Sequence, residues 1–232
     1  MPYRIDISSP PHDVFDVLMH LGALDIEPAH TGVAAIMPDS VNADAVAGAL
    51  SKSGLKVSPA VGRDDDSVWL LNPRPVWIGS TVMRLTDSTT FGTGHHPTTA
   101  LCIEEIEEAL TIGVPECILD VGTGSGVLAL AALMMGVPRA TGLDIDADAL
   151  TVAAEHARLN NLSERLDLVS GGPEAVSGMW PFVVANVLAA PLIEMAPVLV
   201  RRVASHGRLI LSGIPSAAES EVKGSYQLLG MR

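Results

Sequence analysis

Ile118-Leu119-Asp120-Val121 is a short aliphatic run that passes through Gly122-Thr123-Gly124-Ser125-Gly126 into the apolar segment Val127–Met135. Strand, glycine-rich turn and helix in direct succession form the first half of a β-α-β unit, which commits a chain to a parallel sheet. The surrounding sequence keeps the same alternation. Pro97 through Leu110 reads as a helix, with Pro97 at its first position and Thr98 and Thr99 in its first turn. Ala140–Ile145 is the next strand and Ala147–Leu159 the next helix, with Leu150, Ala153, Ala154 and Ala157 on its buried side. Leu166–Val169 and Phe182–Val187 add two strands. Pro191 opens a helical segment toward Val203 that Pro197 should break or bend, and Gly207 turns the chain into Arg208–Ser212. The expected fold class is α/β: an open, doubly wound, mostly parallel sheet with its site at the carboxyl ends of the strands. The interior should be aliphatic, because the chain is 48% hydrophobic yet has only three Phe, two Tyr and three Trp.

The first 60 residues have a different grain. Arg4 to Ile7 reads as a strand ended by Ser8-Ser9-Pro10-Pro11, and Val14, Leu18 and Leu21 recur at helical spacing before Gly22. Strands follow around Asp25–Pro28 and Val33–Met37, joined through His30-Thr31-Gly32. Asn42 starts a helix, and Leu55–Val57 begins a last strand after Gly54. Strand–helix–strand–strand–helix–strand is the order of a small ferredoxin-like module. The expected organisation is therefore a small α+β domain over 1–60, a connector over 61–90 and the larger domain over 91–232. In the connector, Arg63-Asp64-Asp65-Asp66 reads as a solvated turn, and Trp69 and Trp77 read as packing anchors between the two parts.

Charge and cysteine content narrow the function classes. With 27 acidic against 14 basic residues, a net charge of −13 should repel a phosphate backbone and suits a basic protein or peptide partner. No direct role for nucleic acid is expected. Cys102 and Cys117 are too few and too ill-spaced for a zinc cluster or disulfide scaffold, and fit a reducing cytoplasm. The first residues lack the apolar run of a signal peptide, and no stretch approaches the length of a membrane span. A cytoplasmic monomer is the expectation.

Four segments carry the chemistry. The glycine turn lets backbone approach a ligand closely, and a helix start there can receive a phosphate or a carboxylate. Its G-x-G-x-G spacing departs from the dinucleotide fingerprint, which wants a glycine where Val127 stands. Asp144, at the end of the next strand, can accept hydrogen bonds from ribose hydroxyls, while Asp146 and Asp148 suit the start of the following helix. Asp120 is either a turn-stabilising carboxylate or a ligand contact. Phe91-Gly92-Thr93-Gly94-His95-His96-Pro97-Thr98-Thr99 leads into a helix. It either closes one side of a cleft or serves structurally, with His96 at the helix cap and Phe91 buried. Adjacent histidines rarely direct both rings to one ion, so no metal is expected. Asn186, at the end of Phe182–Val187, places an uncharged amide where its oxygen can orient an incoming amine; the alternative is a local turn or cap.

Together, Phe91–Thr99, Asp120–Gly126, Gly142-Leu143-Asp144-Ile145-Asp146 and Val184-Ala185-Asn186-Val187-Leu188 resemble the class I S-adenosylmethionine-dependent methyltransferases. More closely, they resemble the bacterial ribosomal-protein methyltransferases that modify protein eleven of the large subunit. The resemblance covers most of residues 90–214 and implies a Rossmann-like methyltransferase sheet with an amino-terminal substrate-recognition domain. It implies that Gly122, Gly124 and Gly126 line the amino-acid end of S-adenosylmethionine and that Asp144 takes its ribose hydroxyls, with Asp120, Thr123 and Asn186 as further candidate cofactor contacts. Thr93, Gly94, His95 and Thr98 would border the methionine moiety and methyl-transfer channel. Asn186 would face the acceptor nitrogen, and His95 is the candidate base, with proton release to water as the other route. Family members methylate the N-terminal amine and lysine side chains of the ribosomal protein, and their first domain moves to present different nitrogens.

The chain departs from that pattern in two places. Where the family commonly has an acid that positions the adenine amino group, this sequence reads Ser170-Gly171-Gly172-Pro173-Glu174, with Gly172 at the acidic position; either Glu174 compensates, or backbone groups make the contact, or cofactor affinity is reduced. After Ser212-Gly213-Ile214 the sheet edge is expected to be abbreviated, with Tyr226–Leu229 forming a last strand. Three alternatives remain open at this point. They are methylation of another protein or a small amine, an NAD-dependent oxidoreductase, and a non-enzymatic protein-binding module built on a degenerate cofactor fold.

Overall fold

The computed structural model describes residues 2–29, 32–50, 54–59, 76–85 and 96–232. They divide into two compact units. One holds the described residues up to 59 together with Pro215–Ala217, and the other holds the remainder.

The first unit runs β1 (Tyr3–Ile7), α1 (Val14–His20), β2 (Asp25–Ala29), β3 (Gly32–Met37), α2 (Ala43–Ala49) and β4 (Leu55–Pro59). Its antiparallel sheet has the order β2-β3-β1-β4, with Ile5 opposite Ala35 on one side and Val57 on the other. That arrangement is the ferredoxin-like order expected from the sequence. Ile5, Ile7, Val33, Ala35 and Met37 form one apolar core with Val14 and Leu18 of α1 and Val46 of α2. Asn42 caps α2 by accepting a hydrogen bond from Asp44 N at 2.8 Å.

The second unit begins with a hairpin, β5 (Val76–Ile78) and β6 (Thr81–Met83), lying inside the stretch expected to be a connector. Val76, Ile78 and Met83 are buried in the unit's core. Trp77 is 59% exposed, so it is not the packing anchor expected: strand alternation turns it outward between two inward neighbours. Trp69 and the 63–66 turn lie outside the described residues.

There follow α3 (Pro97–Ile112), β7 (Cys117–Val121), α4 (Val127–Met134), β8 (Arg139–Asp144), α5 (Ala147–Leu159) and β9 (Leu166–Ser170). Then come β10 (Trp180–Asn186), α6 (Ala189–Leu199), β11 (Val203–Ser212) and α7 (Glu219–Leu228). The five strands are all parallel, in the order β11-β10-β7-β8-β9. Each central strand is buried on both faces. Ile118, Ala140, Phe182 and Val184 pack with α3 and α4, whereas Leu119, Val121, Leu143, Val183 and Ala185 pack with α6 and α7. α4 is apolar almost throughout because it is buried on every side from Val127 to Leu133. Asn160, at the end of α5, ties in the hairpin's exit by accepting from Arg84 N and donating to Arg84 O.

One local expectation fails. Tyr226–Leu229 is not a strand: Val222 and Tyr226, one helical turn apart on α7, are buried against α6, and the Tyr226 hydroxyl donates to Leu192 O at 2.8 Å. Of the break or bend expected at Pro197, a break does not occur: α6 continues to Leu199 and then tightens into a 3-10 turn over Val200–Arg202. The proline removes one helical hydrogen bond, the one its N–H would have given to Ile193 O. Among the described residues, no helix is long and apolar enough to cross a membrane.

Candidate functional site at the carboxyl ends of the strands

The turn after β7 is built from three glycines in left-handed conformations: Gly122 at φ 71°, Gly124 at 53° and Gly126 at 79°. Side chains are excluded there by space as well as by strain. A Cβ on Gly122 would overlap the Val187 Cγ1 methyl, and one on Gly126 would lie 3.0 Å from Ala153 Cβ. Even Gly142, on the neighbouring strand, is required by this loop, since a Cβ there would sit 2.9 Å from Thr123 Oγ1.

The polar groups of the turn are largely committed to one another. Thr123 donates its hydroxyl to Asp120 Oδ2 at 2.7 Å and its N–H to Leu143 O at 2.8 Å, so it braces the loop. Asp120 Oδ2 also accepts from Ala129 N in the first turn of α4. Its other oxygen, Oδ1, is buried with no hydrogen-bond partner. Burial pushes the Asp120 carboxyl up to about 6 against the hydrogen bonds from Thr123 and Ala129, and the nearby charge of Asp144 adds to the rise. Of the two roles open for Asp120, bracing the turn is thus occupied by one oxygen, while the second remains available.

Asp144 stands half-buried at the end of β8. Its oxygens accept from Gly124 N at 2.8 Å and Asp146 N at 3.0 Å, which leaves acceptor capacity on both. Asp146 caps α5 through Asp148 N, as its position in the sequence suggested. At the end of β9, Glu174 folds back so that Oε1 accepts from Gly172 N at 3.1 Å. A Cβ on Gly172 would lie 2.6 Å from Glu174 Oε2, so the Glu174 carboxylate occupies the space that a side chain at 172 would enter.

Asp120, Asn186 and Ser212 point to the same face of three adjacent strands, because Asp120 is in register with Val184 and Asn186 with Ser212. The first turn of α3 lies over this row. Asn186 donates its Nδ2 to Thr99 Oγ1 at 3.3 Å, and Ser212 donates its hydroxyl to Thr98 O at 3.4 Å. Cys102, one turn further along α3, hydrogen-bonds Ser212, but burial pushes its thiol up to about 12 and makes it inert. His96 is the N-cap of α3, with Nδ1 2.7 Å from Thr98 Oγ1 and accepting from Thr98 N. Burial lowers its imidazole to about 4, so His96 is neutral at physiological pH. Asn186 Oδ1, like Asp120 Oδ1, is buried without a partner. Val187 wedges between Gly122 and Gly213, which places the Asn186 turn directly against the glycine turn.

The structure therefore brings Thr98, Asp120, Gly122, Thr123, Gly126 and Asn186 together, with Gly124 and Asp144 joined at the adjoining strand end. Thr93, Gly94 and His95 lie outside the described residues, as does Phe91. Sequence reasoning missed three members of the cluster: the Thr99 hydroxyl, Ser212 and Cys102. Thr99 lay within a segment already singled out. Ser212 had only its place at a strand end, and Cys102 had no signal beyond being an isolated polar residue on the inner face of a helix.

Comparison with known proteins points the same way. A 153-residue stretch is 43% identical to the ribosomal protein L11 methyltransferase of Geobacter sulfurreducens, covering 66% of this chain and 50% of that protein. The enzyme of the same name from Pelobacter propionicus is 35% identical over 191 residues, covering 73% and 62% of the two chains. The chain thus spans about half the length of the curated relatives it matches. The crystal structure of ribosomal protein L11 methylase from Lactobacillus delbrueckii subsp. bulgaricus superposes with a TM-score of 0.58 at 31% identity, covering 66% of this chain and 77% of that one. The profile of the family described as ribosomal protein L11 methyltransferase (PrmA) matches residues 72–230, well over half the sequence, and by that match this chain belongs to the family.

Proposed function

We propose that this chain carries out S-adenosylmethionine-dependent N-methylation of lysine and N-terminal amines on ribosomal protein L11, in the cytoplasm. The observation that carries the reading is the Asn186 amide: its buried oxygen has no partner and its turn is packed through Val187 against Gly122. An unsatisfied buried acceptor costs about 1–3 kcal/mol, and an N–H from a bound amine would satisfy it.

The residues present fit the cofactor. The glycine turn forms a cradle of bare backbone, its Cβ positions at 122 and 126 being taken up by Val187 and Ala153; the unpartnered Asp120 Oδ1 suits a cationic amino-acid end, and Asp144 keeps acceptor capacity for ribose hydroxyls. S-adenosylmethionine, when bound, supplies a methyl group on a positive sulfonium. Asn186 orients the neutral amine through Oδ1. Desolvation at this buried strand end favours loss of the amine proton, which an unperturbed lysine holds to about pH 10.4. Thr93, Gly94 and His95 border the transfer channel, with His95 as candidate base, by resemblance to the family. Glu174, folded over Gly172, stands in for the missing acid near the adenine. The 1–60 domain holds the substrate, as the family's amino-terminal domain does.

Calorimetric titration with S-adenosylmethionine, S-adenosylhomocysteine and NAD tests the cofactor: binding of the first two and not the third is expected. Mass spectrometry of L11 after incubation with this chain and S-adenosylmethionine tests the substrate. Failure of the folded protein to bind either sulfur nucleoside at saturating concentration would overturn the reading.

A further inference from the structure

We propose that Thr99 is a positioning residue that anchors the amino end of the Asn186 amide, so that the carbonyl end is the one presented to the amine. The inference rests on the reading of Asn186 given above. An asparagine amide is a donor at one end and an acceptor at the other, and only the acceptor end can align an amine lone pair. Left to rotate, the side chain would offer either end. Here Asn186 Nδ2 donates to Thr99 Oγ1 at 3.3 Å, while Oδ1 is buried and unpartnered. Thr99 is itself 1% exposed and fixed in the first turn of α3, where Thr99 N bonds His96 O at 2.9 Å. Its hydroxyl is therefore a rigid anchor.

The other side of the amide is kept clear. Gly213, at φ 77°, has no side chain, and a Cβ there would come within 3.1 Å of Asn186 Oδ1 and 2.6 Å of Val187 O. Thr99 and Gly213 thus divide the labour at the amide's two ends. One holds the donor, and the other keeps side-chain atoms from crowding the buried, unpartnered acceptor. Thr99 touches neither the glycine turn nor the cofactor cradle by any hydrogen bond among the described residues, so its influence runs through Asn186.

The test compares Thr99→Val, which keeps shape and removes the hydroxyl, with Thr99→Ser, which restores it. In the unliganded protein, hydrogen exchange of the Asn186 side-chain amide, read by NMR, should be slow in wild type and Thr99→Ser and about tenfold faster in Thr99→Val. With cofactor and L11, kcat should fall about tenfold in Thr99→Val and recover in Thr99→Ser, while S-adenosylhomocysteine affinity changes less than about twofold. Unchanged Asn186 amide exchange in Thr99→Val overturns the proposal, as does a loss shared equally by kcat and cofactor affinity. Should Thr99→Val fail to fold, Thr99→Ala takes its place against Thr99→Ser with the same readouts. An Asn186→Ala variant that transfers methyl groups normally would instead sink the reading of Asn186 itself.

Discussion

Gly122 and Val187 are matched in space: the α-carbon of Gly122 presents a hydrogen where any larger group would overlap the Val187 Cγ1 methyl. The contact joins the turn after β7 to the turn after β10, two parts of the site far apart in sequence. Gly122→Ala would combine that overlap with a left-handed backbone at φ 71°. We expect a loss of about 2 kcal/mol of stability, with weakened S-adenosylhomocysteine binding. Urea unfolding and calorimetry check it; a variant as stable as wild type would show that the two turns are less tightly fitted than the structure has them.

Asp120 and His96 should give opposite slopes to the pH dependence of stability. The Asp120 carboxyl rises from 3.8 to about 6 on folding, so between those values the folded chain holds a proton that the unfolded chain lacks. Stability conferred by that group falls as pH climbs to about 6 and is flat above. The His96 imidazole drops from 6.5 to about 4, so there the unfolded chain holds the extra proton and stability climbs with pH up to 6.5. Each effect is on the order of 3 kcal/mol over its window, and in their shared range they offset. Asp120→Asn should leave a rising profile and His96→Asn, which keeps a capping side chain, a falling one. Urea titrations from about pH 4.5 to 7 measure both, and parallel profiles in the two variants would refute the assignment.

Asn186→Ala should lower methyl transfer at saturating cofactor by about tenfold or more while changing S-adenosylhomocysteine affinity little, since the amide is assigned to the amine. Single-turnover kinetics alongside calorimetry separate the two. Loss of binding with normal transfer at saturation would reassign Asn186 to holding the cofactor.

Tyr226→Phe should cost about 1 kcal/mol, because it removes the hydrogen bond to Leu192 O, whose carbonyl keeps only its helical partner. Tyr226→Ala, which also empties a buried aromatic site, should cost about 3–5 kcal/mol. Thermal melts distinguish the two, and equal effects would mean the hydroxyl contributes nothing to fixing α7 on α6.

The elements that were legible in the sequence carry their signal locally. The β-α alternation, the glycine turn and the caps at Asn42, His96 and Asp146 depend on neighbours a few residues away. α7 was misjudged because Tyr-Gln-Leu-Leu is a short apolar run that either period accommodates, and only the docking of Tyr226 on Leu192 selects the helix. Trp77 was misplaced because composition reports how much surface a residue could bury, whereas the hairpin register decides which way it faces. The Thr99–Asn186 hydrogen bond spans 87 residues of sequence, so no local pattern could announce it. Gly142 was visible as part of a motif, but its reason, the room needed by Thr123, exists only once two strands are side by side.

β7 acts as a sorting device. Ile118 and Asp120 look toward α3 and α4, while Leu119 and Val121 look toward α6 and α7. Inserting one residue ahead of Ile118 would invert every assignment, driving a carboxylate into hydrocarbon and a leucine under the threonines. The strand is therefore intolerant of single-residue length changes in a way that no individual substitution along it would reveal.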